Sequence, residues 1–96
     1  MAKTVIISGV FDLFHEGHAY LLDEISKYGD VFVLIDNDES VRRRKGAGRP
    51  VNTATKRMLD VLATGCVAKA VVKEEESPLN IILQYKPDYI AVGDDY

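Results

Sequence analysis

Val31-Phe-Val-Leu-Ile35 is apolar at every position, and this constrains the fold more than any other part of the sequence. A strand with one wet face alternates polar and apolar residues. A strand with none must be covered on both sides, as in a parallel sheet layered by helices. Lys3-Thr-Val-Ile-Ile-Ser8, closed by Gly9, reads as a buried strand of the same kind. Both apolar runs fall far short of a membrane span. Between the two strands, Tyr20, Leu21, Leu22 and Ile25 recur at helical spacing, which predicts a helix from Gly17 to Tyr28 stopped by Gly29. Met58, Leu59, Val61 and Leu62 predict a second helix over 53–64, capped by Asn52 or Thr53 and ended by Gly65. A third strand is expected from Val67 to Lys73. Ser77-Pro78 then opens a helix, with proline at its first position, that runs to about Tyr85 and is ended by Pro87. Asp88 to Val92 is the last expected strand.

Strands alternating with helices across short connections specify an α/β fold: a Rossmann-like parallel sheet of four strands with helices on both faces, built as a single minimal domain. At 96 residues such a domain buries only about two-thirds of its unfolded surface, so a homodimer is the expected state. A net charge of −3 argues against a surface built throughout for nucleic acid or acidic membranes. The single Cys66 closes no intramolecular disulfide, and no signal-peptide region opens the chain. The expected location is therefore the cytoplasm, with no membrane association.

Ligands of open parallel sheets sit beyond the carboxyl ends of the strands, where strand order reverses. Three segments follow strand ends and are expected to converge there: Ser8 to His18, Asp36 to Arg49, and Gly93 to Tyr96. In the first, His15 and His18 stand three apart where a helix begins, so both imidazoles can reach one ligand beside free amides and the positive dipole pole. Gly9 and Gly17, lacking Cβ, let a ligand approach the backbone. In the second, Arg42, Arg43, Arg44, Lys45, Arg49, Lys56 and Arg57 place seven of the twelve basic residues in sixteen positions with no acid. Gly46 and Gly48 are expected to keep that loop mobile. Such a local field suits a polyphosphate. Neither a GxxxxGK[ST] nor a GxGxxG motif is present, which removes the common ATPase and dehydrogenase readings. Two imidazoles and several cations without an obvious nucleophile fit transfer of a nucleotidyl group to an acceptor that is already an anion. There, positioning and charge stabilisation supply most of the acceleration.

Gly-Val-Phe-Asp12-x-x-His15-x-Gly17-His18, followed by Lys45-Gly46, Arg57 and Gly93-Asp94-Asp95-Tyr96, resembles the signature of the cytidylyltransferase-like (HxGH) nucleotidyltransferases over essentially the whole chain. Two branches of that family are similar. Asp38-Glu-Ser-Val41, Lys45-Gly-Ala-Gly-Arg-Pro-Val-Asn52 and Arg57-Met58 resemble the heptose 1-phosphate adenylyltransferases of lipopolysaccharide assembly. Gly93-Asp-Asp-Tyr96 resembles the glycerol-3-phosphate cytidylyltransferases. The resemblance implies transfer of a nucleoside monophosphate from CTP or ATP to a phosphorylated sugar or polyol, with pyrophosphate released and Mg2+ carried by the triphosphate. It implies His15 and His18 as transition-state histidines, Lys45 and Arg57 as phosphate-binding cations, Gly9, Val10, Phe11, Gly17 and Asp94 at the nucleotide, and Asp38 at the acceptor. No protein-held metal is expected. The chain differs from the family's pattern in lacking a further Ser/Thr-rich motif after Tyr96. The same fold could thus serve as a non-catalytic nucleotide-binding or regulatory module.

Plainer roles stand beside these. His15 and His18 could simply cap the helix or form half a zinc site, although no third histidine exists and the one cysteine is distant. The Arg42 to Arg57 strip could be a solvated run or an RNA patch, a partner disfavoured by the acidic chain. Asp12 is read as loop support, Phe11, Phe14 and Tyr20 as core, Glu74 to Glu76 as a solvated loop, and Cys66 as buried and inert.

Overall fold

A computed structural model describes residues 3–75 and 77–91. Among these, the elements run β1 (Thr4–Gly9), α1 (Glu16–Ser26), β2 (Asp30–Ile35), α2 (Asp38–Lys45), α3 (Ala54–Leu62), β3 (Val67–Val72), α4 (Leu79–Tyr85) and β4 (Tyr89–Ala91). The four strands form one parallel sheet in the order β3-β2-β1-β4. The chain builds outward from β1 through β2 to β3, then crosses back to place β4 on the other side of β1. The reversal of strand order therefore lies at β1, and the carboxyl end of β1 is where a ligand crevice is expected.

Because side chains alternate across a strand, the sheet has two distinct faces. Val5, Ile7, Val31, Val33 and Ile35 point to one face and join Phe11, Leu22, Ile25 and Val61 in the main core, covered by α1 and α3. Ile6, Phe32 and Leu34 point to the other. There the Phe32 ring meets Tyr85 of α4 edge-on, with centroids 5.6 Å apart. The doubly covered β2 expected from its unbroken apolar run is thus present, with helices on both faces. β1 is tied to the last described strand at its start: the Thr4 amide donates to the Asp88 carboxylate at 2.8 Å, and the Asp88 amide to the Thr4 carbonyl at 3.0 Å. Gly29 sits at a close approach of backbones, since a Cβ there would lie 2.3 Å from the Lys3 carbonyl oxygen.

The structure corrects several expectations. The segment after β2, for which no helix was expected, contains α2. Asn37 caps this helix by accepting the Ser40 amide at 2.8 Å. Asp38 and Glu39 occupy its first turn and Arg42 to Lys45 its last, the charge order that the helix dipole favours. α1 ends at Ser26, before Tyr28. Thr53, not Asn52, caps α3. Pro78 occupies the cap position of α4 rather than its first turn, while the Ser77 hydroxyl accepts the Leu79 amide at 3.2 Å. Tyr20 is 67% exposed, outside the core, and Cys66 is half-buried against the core. The expected positions Val92 and Gly93 to Tyr96, including Asp94, and also Glu76, lie outside the described residues. No helix among the described residues is long and apolar enough to cross a membrane.

Candidate active site

The turn between β1 and α1 is built so that two imidazoles close the helix end. His15 is the N-cap residue of α1, and its Nδ1 accepts the Gly17 amide at 3.0 Å. His18, in the first turn, turns its Nδ1 back to accept the His15 amide at 3.2 Å. The two rings lie 4.0 Å apart between centroids and 27° from parallel. Phe14 stacks on His18 at 5.2 Å, and Phe11 meets it at 5.5 Å. The plainer reading of a capping pair is therefore true of the Nδ1 atoms. It also fixes the chemistry: with both Nδ1 atoms used as acceptors, the proton of each neutral ring resides on Nε2, making Nε2 the donor.

Gly17 serves this arrangement for a reason the sequence did not reveal. A Cβ at position 17 would lie 2.7 Å from Cε1 of His15, so the missing side chain makes room for the protein's own imidazole. The Gly17 amide is likewise spent on His15. Phe11 is fully buried and holds φ +54°, and Leu13 holds φ +51°. These are left-handed conformations that non-glycine residues seldom adopt.

Val10, Asp12, Leu13, His15, His18, Lys45 and Arg49 line a cleft of about 230 Å3 beyond the carboxyl end of β1. Of the expected site residues it gathers His15, His18, Lys45 and Val10. A larger groove of about 600 Å3 lies alongside, lined by Leu13, Phe14, Asn52, Lys56, Asp60, Ala63 and Thr64. It holds no imidazole, and its one cation, Lys56, is paired with Asp60. The convergence of imidazoles and cations favours the smaller cleft.

Five expected residues are not in its lining: Phe11 and Gly17, described above, and Arg57, Asp38 and Gly9. Arg57 is completely buried. Its Nε donates to the Asn52 carbonyl at 3.1 Å, one Nη to the Val10 carbonyl at 2.8 Å and the other to Asp38 at 2.7 Å. It therefore braces the cleft from behind and is not in its lining. Asp38, expected at the acceptor, is the carboxylate partner of that brace. Gly9 ends β1 with its carbonyl accepting the Asp36 amide at 2.9 Å, so that carbonyl is part of the scaffold.

Asp12 supports more than its own turn. Its carboxylate accepts the amides of Val51 at 2.7 Å and Asn52 at 2.9 Å, lashing the segment before α3 to the β1 turn. Burial alone pushes its carboxyl up. The amides of Val51, Asn52 and Leu13 and the charge of Arg49 outweigh that, so the net displacement is below the ordinary aspartate value.

A second polar group at the sheet edge escaped the sequence reading. Lys73, 3% exposed, directly follows β3; its Nζ reaches Asp36 at 2.7 Å and the Ser8 hydroxyl at 2.8 Å. Asp36 is also paired with Arg44 of α2. The Asn37 side chain donates to the Lys73 and Glu74 carbonyls at 2.9 and 3.0 Å. This network locks α2, and with it Lys45, to the ends of β2 and β3. The strand-end rule that pointed to the other segments applied equally after β3 and would have flagged Lys73.

Among the described residues, no three His, Cys, Asp or Glu side chains are placed to hold a metal ion. In the cleft wall both oxygens of Asp12 are occupied by amides.

Comparison with known proteins places these features in context. The chain is 42% identical over 95 residues to the bifunctional protein HldE of Aeromonas hydrophila and 40% identical to that of Vibrio vulnificus, in each case over 98% of this chain. It spans about one fifth (20%) of the length of those relatives. Its fold matches a lipopolysaccharide core biosynthesis protein from Thermoplasma volcanium with a TM-score of 0.87 at 27% identity, covering 100% of this chain and 78% of that one. The model of the cytidylyltransferase-like family matches residues 6–96, and the chain belongs to that family.

Proposed function

We propose that the chain carries a nucleotidyl-transfer site that joins a nucleoside monophosphate to a phosphorylated sugar and releases pyrophosphate. The observation that carries this reading is the meeting of His15, His18 and Lys45 in one cleft at a helix amino terminus beyond β1. An acceptor phosphate oxygen would attack the α-phosphorus as the bond to the pyrophosphate oxygen breaks. Negative charge then builds on the equatorial oxygens and on the leaving group. The Nε2–H groups of the stacked imidazoles would donate to those oxygens, and the Lys45 ammonium would neutralise the departing pyrophosphate. No proton has to be removed from an acceptor that is already ionised. The Mg2+ that accompanies a triphosphate enters with it as substrate. The lipopolysaccharide setting of the solved relative supports the heptose 1-phosphate branch, with ATP as the donor.

The test is pyrophosphate release measured with ATP and CTP against heptose 1-phosphate and glycerol 3-phosphate. ATP with heptose 1-phosphate is the expected active pair. His18→Ala is expected to lower turnover about a hundredfold or more while leaving the circular-dichroism spectrum unchanged. Retained turnover in that variant would remove the histidines from the mechanism. Nucleotide binding without turnover under every pairing would instead identify a binding module.

A further inference from the structure

Arg49 differs from the other arginines of the basic segment described so far. Arg57 spends its donors on the scaffold, Arg44 is paired with Asp36, and Arg43 donates to the Ser40 hydroxyl at 3.3 Å. Arg49 lines the cleft with both imidazoles and Lys45, and its Nε is buried with no hydrogen-bond partner among the described residues. Among the described residues the acid paired with it is Asp12, at 3.6 Å, which is too far for a hydrogen bond. Asp12 already accepts the Val51 and Asn52 amides. The carboxylate therefore attracts the guanidinium without engaging it by a hydrogen bond. The side chain as a whole is 41% exposed, so a ligand can reach the end of the guanidinium beyond the buried Nε. A buried N–H with no acceptor is costly in a folded protein, and a planar fork of donors is the arrangement that two phosphate oxygens satisfy.

We propose that Arg49 is a phosphate-binding residue of this cleft, its terminal N–H groups gripping one phosphate of the bound ligand, with Asp12 as the positioning residue that holds the guanidinium in place. The proposal deepens the nucleotidyl-transfer reading and rests on it for the source of the phosphate, which is either the triphosphate or the acceptor.

Calorimetric titration of the full chain, of Arg49→Gln and of Arg49→Lys with Mg-ATP, Mg-CTP, inorganic pyrophosphate and heptose 1-phosphate tests it. Arg49→Gln is expected to weaken binding about tenfold or more, and Arg49→Lys, with the charge but not the fork, to recover only part. Loss confined to the nucleotides and pyrophosphate puts the gripped phosphate on the donor; loss confined to the sugar phosphate puts it on the acceptor. If Arg49→Gln fails to fold, Arg49→Lys decides alone by the same comparison. Unchanged affinity for every probe in a folded variant overturns the proposal, even if the wild-type chain turns over. Arg49-dependent pyrophosphate binding without any nucleotide binding upholds it while removing the nucleotidyl-transfer reading.

Discussion

Arg49 and Arg57 come from one acid-free stretch of sequence, yet the fold uses them in opposite ways. The guanidinium of Arg57 is sealed behind the cleft with three acceptors on three different segments. That of Arg49 stands in the cleft wall with an unmet donor beside a carboxylate it does not bond. Motif position would have made Arg57 the ligand residue and passed over Arg49. A motif marks a residue type that a fold requires, whereas the partners available around it decide whether its donors go to the scaffold or to a ligand.

Substitution can break or sharpen this contrast. Arg57→Met should have the largest effect, about 3 kcal/mol or more of stability read from urea midpoints, because it strands two carbonyls and the Asp38 carboxylate. Arg57→Lys should restore little, since one ammonium cannot meet three separated acceptors. Lys73→Met should come next, at about 2 kcal/mol, leaving Asp36 buried with Arg44 as its charged partner.

Asp12→Asn should cost about 1 to 2 kcal/mol by weakening the two amide bonds, and it should also change the acid limb of stability. The Asp12 carboxyl is held below its unfolded value. Its contribution is therefore complete above the ordinary aspartate value near pH ~4 and is lost as pH falls through the lower folded value. Melting temperatures taken from about pH 6 down to about pH 3 should fall less steeply in Asp12→Asn than in the wild type. Arg49→Gln should have the smallest effect, under about 0.5 kcal/mol, because a half-exposed pair at 3.6 Å contributes little. If it destabilised the chain as much as Arg57→Met, Arg49 would be a second brace and the contrast would vanish.

The architecture was legible because its signals are local. An unbroken apolar β2, helical spacing over α1 and α3, and Thr53 and Gly65 as punctuation all act within a few residues. α2 was missed because its four consecutive basic residues mask Val41, the one apolar residue that marks its inner face beside the buried Ser40. The histidine pair was legible for the same local reason: His15 and His18 stand three apart at a helix start. Neither the Arg57 brace nor the Lys73–Asp36–Ser8 network was, since their partners lie tens of residues away and only the sheet brings them together. Gly17 was legible as a requirement but not as a reason, because a sequence does not reveal that the space it leaves is filled by His15.

β1, one of the two inner strands of the sheet, is also the first of the four to be synthesised, and its union with Asp88 spans 84 residues of chain. On the ribosome β1 can gain β2 early, but its other edge stays unpaired until β4 has cleared the exit tunnel, so until then a nascent chain carries a sticky, half-built ledge. Chaperone capture of stalled chains should therefore subside abruptly once that closing strand emerges.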